Sequence, residues 1–396
     1  MIASSPSSYS NRLARLLGYL EQDPANIALL HDASDQALQE GSWEQARALV
    51  ASTLALVPQD PVSRYRKAVL LTQDGDAAGS LALTQALLDE GHEVDAVLFQ
   101  HARALILAGQ HRDAEPILEG LLPRADGLPE FDYHYIRALH GAGRLEDAIR
   151  VAADLGPDPV AQGMLSLLYT DAEKLQEGAD LAAAVLATQP DNIDALISAG
   201  TVSLAMEEAA SALPYFERAV HTHADNGRAW MGIGLARMST QDLPAARDAF
   251  QKAVNLLPTH LGSWNTLAWV DMLLQDYTAA EATLQTALRI NHNFGETHGT
   301  IAVLRAFEER WAQSKHHADI AVRLQPESFA GRFAQSLLLG HEGRPEKARQ
   351  RLAHVMRNFE APAGGNLTDV VRRHALRNPA GGAHPPAATT TDQEAK

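Results

Sequence analysis

The sequence predicts an all-α solenoid, a tandem stack of about ten antiparallel helix pairs, and three observations carry that prediction. Pro190, Pro258 and Pro326 stand 68 residues apart with Ala224 and His292 at the midpoints, so a step of 34 residues runs through the chain. With the proline slot taken as position 32, position 20 of ten successive units holds Ala46, Ser80, Ala114, Ala148, Gly178, Ala212, Ala246, Ala280, Ser314 and Ala348, all small. Position 8 holds Ser34, Ala68, Ala102, Ile136, Ser166, Gly200, Gly234, Ala268, Ala302 and Ser336, with Ile136 the one large exception. Small side chains recurring at a fixed period mark where helices cross closely, and self-similarity at this spacing marks a stack of helical repeats.

The elements follow in order. Leu13, Leu16, Leu17 and Leu20 have helical spacing, and Asp23-Pro24 ends that helix, so residues 1–26 read as an N-terminal segment with a capping helix. The units then parse as 27–60, 61–94, 95–128, 129–158, 159–192, 193–226, 227–260, 261–294, 295–328 and 329–362, each a helix A, a turn and a helix B. Large residues complement the small ones: Trp230 and Trp264 at position 4, Ile233, Leu267 and Ile301 at position 7, and Phe216, Phe250, Leu284 and Leu352 at position 24. Gly41, Gly109, Gly143 and Gly343 supply the left-handed residue that ends helix A, while Asp60-Pro61, Asp158-Pro159 and Asp191-Asn192 supply caps for the next one.

The fourth unit has 30 residues, four fewer than the others, and the loss falls in its helix B. Four residues are about one helical turn, so the apolar face stays in phase while the helix shortens. The shortening predicts a change of curvature near Leu155 to Pro159, dividing the array into a block of four repeats, 27–158, and a block of six, 159–362. Beyond Pro362, residues 363–377 read as a C-terminal capping helix, and 378–396, rich in Pro, Gly, Ala and Thr, as a disordered tail.

The period and the small-residue slots resemble the tetratricopeptide-repeat family in its bacterial form, along nearly the whole chain. The resemblance implies a right-handed superhelix, non-catalytic binding, and a concave wall lined by positions 2, 5, 6, 9, 12 and 13 of helix A. Carried onto this sequence, those positions give two zones. A polar zone holds Tyr65, Arg66, Phe99, Gln100, Arg103, Tyr133, His134 and Arg137, where three guanidinium groups interleaved with aromatic rings suit a carboxylate, an acidic peptide or a phosphate. An apolar zone holds Met164, Leu167, Ile197, Leu204, Met231, Leu235, Met238, Trp269, Met272 and Leu273, a methionine-rich surface of the adaptable kind. The bland readings are a solvated surface for the first and packing between adjacent helices for the second. The Lys/Asn carboxylate clamp of chaperone-binding members is not reproduced.

Composition narrows the partners. Forty-nine acidic against 33 basic residues give a net charge of −16, which repels phosphate backbones, so nucleic acid is not expected. The absence of cysteine removes disulfides, thiolate metal sites and a cysteine nucleophile. No stretch reads as a signal peptide or membrane span, and the expected location is cytoplasmic.

The sequence carries no P-loop, dinucleotide fingerprint, zinc-protease helix or nucleophile elbow, so neither catalysis nor a cofactor is expected. Gly232-Ile-Gly234 reads as helix packing. His221 and His223 read as helix-end histidines, His316 and His317 as neighbours that point apart, and His292 and His298 as a pair straddling an inter-repeat turn, so no metal site is expected, and Asp74-Gly75-Asp76 reads as a turn. The expectation is a scaffold that binds a protein or extended peptide along its groove, with self-association through the open end faces. The alternatives are a ligand-sensing regulator and an accessory array for a separately encoded enzyme such as a transferase.

Overall fold

The computed structural model describes residues 11–358; the end of the tenth repeat, the expected helix at 363–377 and the tail lie outside the described residues. Among the described residues there are twenty-one α-helices, a 3-10 turn at Leu122–Arg124 and no strand. They gather into two units divided between Pro157 and Asp158.

The first unit holds α1 (Asn11–Gln22), α2 (Ile27–Gln39), α3 (Trp43–Leu56), α4 (Pro61–Gln73), α5 (Ala77–Asp89), α6 (Asp95–Leu107), α7 (His111–Leu121), α8 (Phe131–Ala142) and α9 (Leu145–Asp154). Leu13 and Leu20 of α1 are buried in one cluster with Leu30, Ala33 and Ala37 of α2, so α1 covers the apolar face that the first hairpin would otherwise leave bare. The second unit holds α10 (Pro159–Asp171), α11 (Leu175–Thr188), α12 (Ile193–Ala205), α13 (Ala209–Thr222), α14 (Gly227–Ser239) and α15 (Leu243–Leu256). It continues with α16 (Leu261–Leu273), α17 (Tyr277–Ile290), α18 (Gly295–Phe307), α19 (Trp311–Leu324), α20 (Phe329–His341) and α21 (Pro345–Asn358). Helix B of the short repeat, α9, has ten residues against fourteen in α11.

The small slots are where the helices meet. Every position-8 residue is buried, Ile136 included, and every position-20 residue is buried except Ala348, which is half-buried on the last described helix. Around Phe216 the reason is steric. A Cβ on Gly200 would stand 2.7 Å from the Phe216 ring, and one on Gly232 would stand 2.4 Å from it, so two glycines from successive A helices sandwich one ring. Gly234 makes the same room for Phe250, at 2.7 Å. Gly232-Ile-Gly234 is therefore a packing element.

Turns and caps repeat with the same regularity. At position 15 every repeat has positive φ, from 60° at Glu207 and Glu309 to 88° at Gly143, and the amide of position 16 donates to the carbonyl of position 11 at 2.8–3.0 Å. This is the Schellman ending of a helix. Five repeats use glycine there; the others force Glu173, Glu207, Gln241, Gln275 and Glu309 into the left-handed region. At the start of helix A, Asn26, Asp60, Asp158, Asn192, Asn226 and Ser328 each accept the amide three residues on.

A further device recurs at position 4. Trp230 Nε1 donates to Ala224 O (2.8 Å), Trp264 Nε1 to Pro258 O (2.9 Å), His298 Nε2 to His292 O (2.9 Å) and Arg332 Nε to Pro326 O (2.7 Å). Three kinds of side chain thus satisfy the carbonyl of the residue in the proline slot, a group that the turn leaves without a helical partner. His292 and His298, which straddle a turn in the sequence, are joined by this structural bond.

Candidate functional site

The polar zone lies within the first unit, on α4, α6 and α8, and the structure brings most of it together. Arg66 is buried and forks onto Asp35 of α2, with Nε to Oδ1 at 2.7 Å and Nη2 to Oδ2 at 2.6 Å, while its Nη1 makes no hydrogen bond to the protein. Gln100 is buried too. Its Nε2 donates to Thr72 Oγ1 (2.6 Å) and Ala68 O (3.2 Å), which turns its Oε1 to accept from Arg103 Nη1 at 3.2 Å. Gln100 is thus a support for Arg103 rather than a free contact.

The aromatic residues hold the next two guanidinium groups. Arg103 Cζ lies 5.9 Å from the Phe99 ring centre, and Arg137 Cζ lies 4.7 Å from that of Tyr133. Phe99 is itself buried against Phe131, at 5.7 Å, so it serves the core as well as the arginine. His134 meets the Phe99 ring edge-on at 5.6 Å and the Tyr133 ring likewise at 5.6 Å.

The electrostatics follow from this crowding. Burial pushes Arg103 below the usual guanidinium range, with the Glu130 carboxylate and Tyr65 acting the other way. Burial raises the Tyr65 phenol, an effect that the charge on Arg103 opposes. His134 is held at about 3, first by burial and then by the charges of Arg103 and Arg137, so its imidazole is neutral at physiological pH. Arg103 Nε and His134 Nε2 are buried and make no hydrogen bond to the protein. Together these groups form a partly dehydrated, cation-rich face suited to an anion with oxygen acceptors.

Asp35 did not stand among the sequence-derived site residues. It occupies position 9 of the first repeat, the slot that Arg103 and Arg137 occupy in the third and fourth, so the same reading applied one repeat earlier finds it.

The apolar zone lies in the second unit, and there the structure distributes the residues differently. Met164, Leu167, Ile197 and Met272 are buried in the core. Met231, Leu235 and Met238 are half-buried against the cluster of Ala246, Phe250, Val254, Leu267 and Val270, and Met231 Sδ accepts from Ser263 Oγ at 3.2 Å. Trp269 reaches past α18 to Phe333 of α20, ring centres 6.0 Å apart. Leu204 is half-buried; Leu273 is exposed.

A second contact that skips a repeat is electrostatic. Arg228 of α14 forks onto Asp171 of α10, at 2.9 and 2.8 Å, passing over α12. Helices α12 and α18 are correspondingly buried, α18 along ten of its residues. Most of the methionine-rich zone is occupied with packing its own repeats.

Among the described residues no group of three or more His, Asp or Glu side chains is placed to hold a metal ion, and no helix is long and apolar enough to cross a membrane.

The tetratricopeptide-repeat family model matches residues 197–260. No curated protein sequence matches the chain significantly. Among solved structures, the human IFIT1 dimer with m7Gppp-AAAA superposes with a TM-score of 0.53 at 14% identity, covering 88% of this chain and 95% of that one. The human IFIT1 dimer with PPP-AAAA gives 0.52 at 14% identity, with coverage of 88% and 95%. At that identity the likeness speaks for the fold alone. Ten hairpins on a 34-residue step shortened once, the small residues at their crossings and the family model over the sixth and seventh repeats together give this chain the fold of a tetratricopeptide-repeat array.

Proposed function

We propose that this chain is a non-catalytic scaffold that binds a protein or extended peptide through the helix-A face of its first unit, where Arg103 and Arg137 hold an acidic group. The observation that carries the reading is a cation-rich face built by packing: two arginines stacked on aromatic rings, with Arg103 braced by a buried glutamine. A surface merely solvated by arginines has no reason to hold them beside a buried neutral histidine. Arg66 is already paired with Asp35, so it frames the site rather than supplying its charge.

A peptide carboxylate fits this face better than a nucleic acid. The IFIT1 structures hold m7Gppp-AAAA and PPP-AAAA, but a chain of net charge −16 repels a phosphate backbone outside the immediate site. The test is fluorescence binding against an acidic peptide array and against 5′-triphosphate oligoadenylate, using wild type and Arg103→Glu/Arg137→Glu. The expected result is an acidic peptide whose binding falls at least about tenfold in the double variant, as two charge-assisted contacts are reversed. Unchanged peptide affinity in the double variant, or binding of the oligonucleotide alone, overturns the reading.

A further inference from the structure

In the seventh, eighth and ninth repeats, position 7 of helix A carries an apolar knob that seats the repeat on helix B of the one before. Ile233 is buried with Ala212 and Phe216 of α13, Leu267 with Ala246, Phe250 and Val254 of α15, and Ile301 with Ala280 and Leu284 of α17. In the second repeat the same slot holds Lys67, which is exposed. The missing knob leaves a cleft of about 480 Å³ between α3 and α4, floored by Val50, Leu54, Leu70 and Leu71. One end is closed by the Arg47–Asp74 ion pair, in which Arg47 Nε donates to Asp74 Oδ2 at 3.1 Å.

We propose that this cleft docks an acidic peptide segment of a partner protein, which inserts one large aliphatic or aromatic side chain into the slot and pairs a neighbouring carboxylate with Lys67. The slot is one that Ile233, Leu267 and Ile301 fill in later repeats, so an apolar side chain from outside meets a surface of a kind that takes one. The sign of the partner follows from charge. Arg47 and Asp74 neutralise each other, whereas Lys67 pairs with no acid among the described residues, so the cleft presents one uncompensated cation beside its apolar floor. The site shares no residue with the arginine face, and neither depends on the other.

Methyl NMR of the full chain tests this with two probes that differ only in charge, acetyl-Glu-Leu-Glu-amide and acetyl-Gln-Leu-Gln-amide. The expected result is shifts at the methyl groups of Val50, Leu54 and Leu70, with the glutamate peptide binding about two- to fivefold more tightly, the range of one exposed ion pair. Lys67→Gln should erase that difference. Lys67→Ile, which restores the knob, should abolish the shifts and raise the melting temperature, while Arg103→Glu should leave them unchanged. Equal binding of the two peptides, or shifts that survive Lys67→Ile, overturns the proposal. Tighter binding of dodecanoate than of the glutamate peptide overturns it in favour of a lipid carboxylate. A dimer in sedimentation that Lys67→Ile dissociates overturns it in favour of a second copy of this chain.

Discussion

His134 gives the sharpest handle on the arginine face. Its side chain is only 15% exposed, and burial followed by the charges of Arg103 and Arg137 holds its folded-state pKa at about 3. In the unfolded chain the same imidazole titrates near the ordinary histidine value of 6.5. The folded state therefore binds fewer protons below pH 6.5, and stability is lost as pH falls from 6.5 towards 3. At pH 5 the difference amounts to roughly 1.5 pH units, or about 2 kcal/mol, at the roughly 1.4 kcal/mol that each unit represents. Urea unfolding of wild type and His134→Gln at pH 7 and pH 5 measures this, with amide exchange along α8 locating it. The variant should be less sensitive to acid by about 2 kcal/mol. An equal loss in both proteins, or an imidazole signal that titrates near 6.5 in the folded protein, would refute the burial argument and weaken the site with it. The same signal reports on the ligand. An acidic group seated between Arg103 and Arg137 offsets the charges that depress His134, so its titration should move upward on binding.

Other predictions test the scaffold. Gly232→Ala gains about 1 kcal/mol of helix propensity, but its Cβ meets the Phe216 ring at 2.4 Å while Gly200 pins the ring's other side. Overpacking of about 1–3 kcal/mol should win, seen as a lower melting temperature that Phe216→Leu partly restores, whereas Gly18→Ala, with open space around it, should stabilise. Gln275→Gly removes a left-handed residue at φ 62° and should raise stability by about 0.5–1 kcal/mol, net of the entropy glycine adds to the unfolded chain; a decrease would count against strain at position 15. Arg228→Ala cuts a half-exposed fork onto Asp171, so it should cost no more than about 1 kcal/mol yet speed amide exchange in α12; unchanged exchange would deny that the fork holds the helices across that repeat.

Why the repeat was legible while the site was not comes down to distance along the chain. Position 20 and position 8 of one hairpin are separated by a single turn, and their sizes are coupled by direct contact, so the constraint recurs in every unit and shows as a period. The turn itself was legible only where it uses glycine. At Glu173, Glu207, Gln241, Gln275 and Glu309 the hydrogen bond from position 16 to position 11 imposes the same backbone on residues that do not favour it. His298 and Arg332 likewise stand in for tryptophan at position 4 by supplying an N–H at the right place, a likeness of function that residue type hides.

The groove depends on a longer relation, that between helix A of one repeat and helix A two repeats on. A list of inward positions is the same whether those helices stand apart or touch, and in the second unit they touch through Trp269 and Phe333, and through Arg228 and Asp171. Adjacent A helices of that unit also approach closely. A Cβ on Gly299 would stand 2.3 Å from the amide nitrogen of Gly331, so α18 and α20 meet backbone to backbone where two glycines face each other. In the first unit the helix-A residues of the polar zone are Arg66, Gln100, Arg103, His134 and Arg137, and the like charges of Arg103 on α6 and Arg137 on α8 oppose that degree of closure. Arginine there and glycine in the second unit are opposite solutions to one packing problem.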